Sequence, residues 1–98
     1  MILARFRKQP NERRKFLIDY SERLAEGDAL LSIQQTVITP DTTPPLTVSS
    51  GINAEGTELT TYVSGGSDNT EYKVEYLVET NDNGVLWEDE LIFMVEDV

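Results

Sequence analysis

Residues 72–79 read Tyr-Lys-Val-Glu-Tyr-Leu-Val-Glu, and this run decides the fold. Because a β-strand turns successive side chains to opposite faces, the run predicts a strand with one aromatic and β-branched face and one mostly charged face. The face for burial consists of Tyr72, Val74, Tyr76 and Val78. A lone hairpin does not offset the backbone entropy lost on folding, so a second sheet has to cover this face.

Turn-forming residues bound this strand on both sides. Asn81-Asp82-Asn83-Gly84 follows it, and these residues tolerate the positive φ angles that a tight hairpin needs. A loop from Ser64 to Asn69 precedes it and contains Gly65 and Gly66. We therefore predict that residues 57–63, 72–80 and 85–95 are the last three strands of a β-sandwich, with the glycines Gly65, Gly66 and Gly84 in the connecting turns.

Three earlier segments have strand patterns, at residues 16–20, 29–37 and 46–52. The predicted core faces of the first two are Phe16, Ile18 and Tyr20, and Leu31, Ile33 and Val37. A helical turn capped by Ser21 is expected at residues 21–24, and because residues 11–26 are rich in good helix formers, one helix over that range is the alternative. Short strands with turn signals about every ten residues are typical of an all-β sandwich.

Tyr72 opens the penultimate strand directly after a tight loop. In this position a tyrosine hydroxyl bonds back to nearby backbone, an arrangement called the tyrosine corner in sandwich folds, and plain core packing is the alternative. Tyr62 and Phe93 are predicted to be core residues, and Trp87 to lie in the core or at its rim.

Charge is distributed unevenly along the chain. Residues 1–23 contain seven basic and three acidic residues, which gives +4, whereas residues 24–98 contain one lysine and fifteen carboxylates, which gives −14. We predict a basic extended N-terminal arm over residues 1–15, poorly ordered in isolation, in front of a sandwich domain over residues 16–98. The arm is either solvated surface or a contact for an acidic neighbouring subunit, and the contact residues would be Arg5, Arg7, Lys8, Arg13 and Arg14.

The residue types that are missing restrict the chemistry. The chain has no cysteine and no histidine, so disulfides, thiolate metal sites and the usual catalytic base are excluded. No apolar run approaches the roughly 20 residues of a membrane span. We expect a non-enzymatic protein that is soluble and made in the cytosol, with no cofactor, no metal and no small-molecule substrate.

Two acidic motifs resemble functional sites but are better explained as surface. Residues 79–84 followed by Glu90 nearly match a calcium-loop spacing, yet the flanks have the period of strands and the first position is Glu79 rather than aspartate. Glu88-Asp89-Glu90 suggests paired carboxylates, but on a strand Asp89 points away from the other two. We expect these acids to be solvated and to blunt an edge against unwanted pairing.

Short motifs in order along residues 8–95 resemble the small tailed-phage fiber–tail adaptor family. They are Lys8-Gln9-Pro10-Asn11-Glu12, Asp19-Tyr20-Ser21 with Leu24, Gly27-Asp28 with Ser32, Ser64-Gly65-Gly66 with Tyr72 and Val74, and then Thr80, Gly84 and Glu88. The chain departs from the family pattern near Gln35, where a tryptophan is expected, and after the next proline, where a glycine is expected.

The resemblance implies an immunoglobulin-like or fibronectin-III-like antiparallel sandwich and a structural role in the neck or tail of a virion. It also implies several copies, arranged as a ring, that join fibers or other tail parts to the particle, without direct contact to nucleic acid or membrane. Two alternatives follow from the acidity and the fold: an acidic inhibitor that imitates nucleic acid and binds a host DNA-binding protein, or a capsid or tail decoration sandwich.

Overall fold

The computed structural model describes residues 1–98, which form seven β-strands and no helix. The strands are β1 (Ile2–Lys8), β2 (Arg14–Asp19), β3 (Leu30–Thr39), β4 (Leu46–Ile52), β5 (Glu58–Gly65), β6 (Thr70–Thr80) and β7 (Leu86–Val95). They build two sheets, with the orders β1-β7-β6-β3 and β2-β5-β4. The predicted all-β sandwich is confirmed, and the helix over residues 11–26 is wrong.

All strand pairs are antiparallel except one, because β1 lies parallel to β7. The predicted antiparallel sandwich thus contains one parallel pair, at this edge. Constant-type immunoglobulin sandwiches also place strands two, four and five on one sheet and strands three, six and seven on the other. Their first strand, however, belongs to the sheet of strands two, four and five, whereas here β1 belongs to the sheet of β3, β6 and β7. The immunoglobulin-like assignment accordingly stays a prediction.

The alternating row of β6 lies in the centre of the core. Its inward side chains, from Tyr72 to Val78, are at most 1% exposed, and the row is covered by β5 of the facing sheet. The Tyr76 hydroxyl bonds to the hydroxyls of Ser50 and Thr61 at 2.7 and 2.8 Å, so a buried polar group is satisfied across the sandwich. Burial raises the pKa of the Tyr76 phenol.

The N-terminal segment differs from its prediction. Residues 2–8 are not an arm outside the sandwich but its strand β1, which pairs with residues 90–95 of β7. The Phe6 ring stacks on Phe16 at 4.2 Å and on Phe93 at 5.4 Å between ring centroids, so it joins both sheets. The domain boundary predicted between residues 15 and 16 is thus wrong, because β1 is part of the sandwich.

Two β-bulges in β3 explain why its predicted core face is partly wrong. Its register against β6 shifts between Leu30 and Ser32 and again between Ile33 and Gln35. Each extra residue turns the following side chains to the opposite face, so a period-2 prediction fails beyond it. Leu31 and Val37 are 58% and 37% exposed rather than in the core, and Leu30 is buried in their place.

The predictions for three aromatic residues have different outcomes. Phe93 is fully buried, and Trp87 is half-buried against the core as predicted. Tyr62, however, lies half-buried on the outer face of the central strand β5, where the Arg13 guanidinium covers its ring at 4.6 Å. The core assignment of Tyr62 is therefore wrong.

Tyr72 ties two loops to the sandwich. Its hydroxyl accepts the Ser67 backbone N–H at 2.7 Å and lies 2.6 Å from the Thr42 hydroxyl, which itself donates to the Pro44 carbonyl. The bond to Ser67, five residues upstream, has the connection of a tyrosine corner. Gly65 and Gly66 precede it with φ of +70° and +94°, and a Cβ on Gly65 would lie 2.6 Å from the Pro45 carbonyl oxygen.

Replacing Tyr72 by phenylalanine is expected to lower the free energy of unfolding by about 1–2 kcal/mol, because the Ser67 N–H loses its acceptor and the Thr42 hydroxyl loses one of its two partners. For a domain of this size the melting temperature falls by about 4–16 °C. Tyr62→Phe is the matched control, since no hydrogen bond is formed by that hydroxyl. Equal melting temperatures for the two variants would show that the Tyr72 hydroxyl does not hold these loops.

Candidate interaction surfaces

One side of the sandwich is basic. It is formed by β1 and β2, which are the end strands of their sheets and meet where Phe6 stacks on Phe16. We call it the β1/β2 side. Four of the five predicted contact residues are exposed there: Arg5, Arg7, Arg13 and Arg14.

Lys8, the fifth predicted contact residue, does not belong to this surface. It is 2% exposed, and its ammonium donates to the carbonyl oxygens of Gln9, Pro10 and Gly65 at 2.6, 3.3 and 2.7 Å. Three donors thus meet three acceptors, and no carboxylate is needed. Burial lowers the Lys8 pKa, while the nearby Glu12 raises it. Lys8 therefore holds the β1–β2 turn against the end of β5 and is not available to a partner.

The exposed arginines form only weak pairs within the chain. Arg5 lies 3.3 Å from Glu71, and Arg7 lies 3.9 Å from Glu96, with side-chain exposures of 65% and 81% for the two arginines. Exposed pairs of this kind contribute at most about 1 kcal/mol, because water and salt screen them. The two guanidinium groups can therefore leave these carboxylates and pair with carboxylates of another protein.

The loops at one end of the sandwich are acidic. The loops β2–β3, β4–β5 and β6–β7 meet there: the Leu30 N–H donates to the Gly56 carbonyl at 2.7 Å, and the Asn81 N–H to the Ala29 carbonyl at 2.8 Å. We call this end the acidic pole. Since β1 ends and β2 begins at the other end, Arg7, Arg13 and Arg14 are separated from it along a 43 Å axis. Its carboxylates are Glu22, Glu26, Asp28, Glu55 and Asp82.

Arg23 is the only basic residue of these loops, and it forms an ion pair with a buried carboxylate. Asp89 is 1% exposed, and its Oδ2 accepts from Arg23 at 2.7 Å and from the Tyr20 hydroxyl at 2.9 Å. The Arg23 guanidinium also lies 4.4 Å from the Trp87 ring centroid, and the Trp87 and Tyr20 rings are stacked. Burial, and then the Asp89 charge, raise the Tyr20 pKa well above its usual value, so the phenol stays a donor.

The prediction that Glu88, Asp89 and Glu90 are all solvated is therefore wrong for Asp89, although the opposite orientation of its side chain is confirmed. Alternation along β7 could have identified its inward side, because the next inward residues are Leu91 and Phe93. The need for a partner then points to Tyr20 and Arg23, but their proximity is a tertiary feature that no local spacing in the sequence encodes.

The outer face of the four-stranded sheet mixes carboxylates with other groups. Glu71, Glu75 and Glu79 alternate on β6 with Lys73 and Leu77. Across the ladder, β7 places Ile92 and Met94 opposite Lys73 and Glu71. A nucleic-acid mimic needs carboxylates spaced without interruption like phosphates, so this face does not favour that alternative.

Other chemistry finds no support in the geometry. No group of three or more acidic side chains is placed to hold a metal ion. No helix is long and apolar enough to cross a membrane. Trp87 belongs to β7 and stacks on Tyr20, whereas Tyr62 belongs to β5 in the other sheet. The two residues therefore do not form the cluster of exposed aromatics that a sugar-binding decoration domain would present. What the surface offers a partner is charge and unpaired strand edges.

Residues 8–93 match the model of a protein family described as podophage GP4 fiber-tail adaptor protein gp77. Comparisons with curated proteins and with solved structures gave no match. The matched range begins at the last residue of β1 and contains β2 to β6 and most of β7. The similarity therefore concerns nearly the whole sandwich rather than a single motif.

Proposed function

The chain belongs to the podophage fiber-tail adaptor family, and from this we propose that it is a non-enzymatic structural protein that joins tail fibers to the phage particle in several copies. Its location is the virion tail, where its partners are other tail or fiber subunits and further copies of itself arranged in a ring. The observation that carries this proposal, beside the family, is the exposed arginine set of the β1/β2 side on a protein of net charge −10.

The charge layout supports a role in assembly. A chain with this net charge repels copies of itself and other acidic subunits at long range. The β1/β2 side carries positive charge, opposite to the net charge of the chain, so it orients an approaching acidic surface toward this side of the sandwich. No buried group is lost when Arg5, Arg7 and Arg14 change partners, because their present ion pairs are exposed. Arg13 would leave only the half-buried Tyr62 ring. The surface thus gives orientation without a cost in stability.

We expect that replacing Arg5, Arg7, Arg13 and Arg14 together by glutamine lowers the number of copies per purified particle at least tenfold. The melting temperature of the isolated protein should change little, because each exposed pair contributes at most about 1 kcal/mol. Particles from a phage genome that encodes the variant would be purified, and copies counted by quantitative mass spectrometry.

A matched pair of single reversals tests whether position matters or only total charge. Arg7→Glu and Lys73→Glu change the net charge equally, but Lys73 lies in the middle of the outer face, ion-paired with Glu75 at 2.9 Å. Only Arg7→Glu is expected to reduce incorporation. Normal copy numbers for the fourfold variant would refute the contact role of the arginines, and absence of the wild-type protein from particles would refute the adaptor function itself.

A further inference from the structure

One segment of this highly charged chain is almost uncharged. Residues 29–54 contain Asp41 as their only charged residue, whereas the other 72 residues contain 25. In the structure this segment is β3, β4 and the loop between them. Both strands are end strands, on the side of the sandwich opposite β1 and β2. We call it the neutral side. Depletion of charged residues is the compositional mark of the centre of a protein–protein interface.

The edge of β3 has no protection against pairing over half of its length. Beyond the second bulge, residues 35–39 keep regular register with β6 and are mostly exposed. They contain no lysine, proline or inward charge, the devices by which proteins block an edge strand. Leu31 and Val37 add exposed apolar surface along the same strand. An unpaired edge of this kind accepts a further strand through main-chain hydrogen bonds.

We propose that the β3 edge of one copy binds the β1 edge of a second copy, so that their four-stranded sheets continue into each other. The proposal rests on the multi-copy part of the proposed function. Since β6 is antiparallel to both β3 and β7, and β1 is parallel to β7, β1 and β3 run in the same direction. A rotation about an axis along the strands therefore brings β3 beside the next copy's β1 as a parallel pair, and such a heterologous contact closes into a ring.

Charge complementarity identifies β1 as the occupant. Within one copy, Arg5 on β1 reaches Glu71 on β6 across the intervening strand β7. A second copy's arginines, placed beside β3, would reach across that strand in the same way to the outer face of β6, where Glu75 and Glu79 lie. Two β3 edges would leave these carboxylates three strand spacings apart and form no ion pair, whereas two β1 edges would place Arg5 and Arg7 of both copies on neighbouring strands. Like charges on neighbouring strands are destabilising, so the unlike pairing is preferred.

The acidic pole is the competing surface for the arginines. It consists of loops, however, and its contacts would be exposed ion pairs that contribute little to affinity. The neutral side offers main-chain hydrogen bonds and exposed apolar side chains in addition to the carboxylates of β6. The β3 edge can thus bind a neighbouring copy by strand pairing, which the loops of the acidic pole cannot provide.

A lysine on the β3 edge tests the proposal. Val37→Lys puts a charge beside the incoming arginines, and Thr60→Lys puts the same charge on the middle strand of the other sheet, away from any edge. Sedimentation equilibrium of the full-length chain at low salt is expected to show self-association, weakened at least tenfold by Val37→Lys and unchanged by Thr60→Lys. Circular dichroism would verify that both variants are folded.

Complementary reversals then test which edges meet. Arg5→Glu with Arg7→Glu, and Glu75→Lys with Glu79→Lys, should each reduce self-association, while an equimolar mixture of the two double variants should recover it, because every contact in an alternating ring is again between unlike charges. A wild-type chain that stays monomeric overturns the proposal. So does association that is lost on reversal of Glu26 and Asp82 but kept in Val37→Lys, since the contact would then be the acidic pole.

The same variants distinguish this proposal from the adaptor function. If wild type and Val37→Lys enter particles in equal copy number, the adaptor function stands and the edge contact is refuted. If the wild-type chain associates in solution as described but is absent from particles, the edge contact stands and the adaptor function is refuted.

Discussion

Deleting residues 1–8 is expected to abolish the cooperative thermal transition of this protein, or to lower its melting temperature by at least about 15 °C. The deletion removes Phe6 from a three-ring cluster with Phe16 and Phe93, and it removes the ammonium that satisfies three carbonyl oxygens at the end of the sandwich. Loss of a fully buried phenylalanine side chain costs about 3–5 kcal/mol, and the half-buried Phe6 contributes part of that together with the main-chain pairing of β1 to β7. Domains of this size are stable by only about 5–15 kcal/mol in total.

Circular dichroism melts of the shortened and full-length chains measure this effect. The double variant Arg5→Gln with Arg7→Gln is the control, because it keeps β1 and removes only its exposed charges; its melting temperature should stay close to that of the wild type. A shortened chain that melts like the full-length protein would show that β1 is the dispensable arm that the charge pattern suggests.

The pattern of the sequence was sufficient where local rules decide the structure. The row from Tyr72 to Val78 alternates without interruption, so its buried face could be identified, and the turn at residues 81–84 follows from Asn83 and Gly84, which have φ of 53° and 78°. The pairing of β6 with β7 then follows from a short connection. These predictions needed no information from distant parts of the chain.

The rest depends on contacts between distant residues. β1 has no clear period because its inward positions include Lys8, whose burial is possible only where the carbonyl of Gly65 and those of the β1–β2 turn converge. The bulges of β3 are set by its pairing with β6 and leave no mark in composition. For the interaction surfaces, charge separation along the chain predicted a basic region, but only the fold shows that it is one side of a sandwich whose opposite side is neutral.

Replacing Arg23 by methionine is expected to lower the free energy of unfolding by about 3 kcal/mol, because Asp89 remains as a buried carboxylate without its cation. The Tyr20 hydroxyl still donates to it, but one neutral hydrogen bond does not compensate for the desolvation of a charge. The melting temperature should fall by about 12 °C or more. Arg5→Met, which breaks the exposed pair with Glu71, is the matched control and should change the free energy of unfolding by less than about 1 kcal/mol.

A second substitution identifies the charge as the cause. In the double variant Arg23→Met with Asp89→Asn, the asparagine side-chain oxygen still accepts the Tyr20 hydroxyl while the buried charge is gone, so most of the lost stability should return. Denaturant unfolding of the wild type, both single variants and the double variant gives the coupling free energy between Arg23 and Asp89. If the losses of the two single variants simply add, the guanidinium stabilises this end of the sandwich through its packing on Trp87 and not through the ion pair.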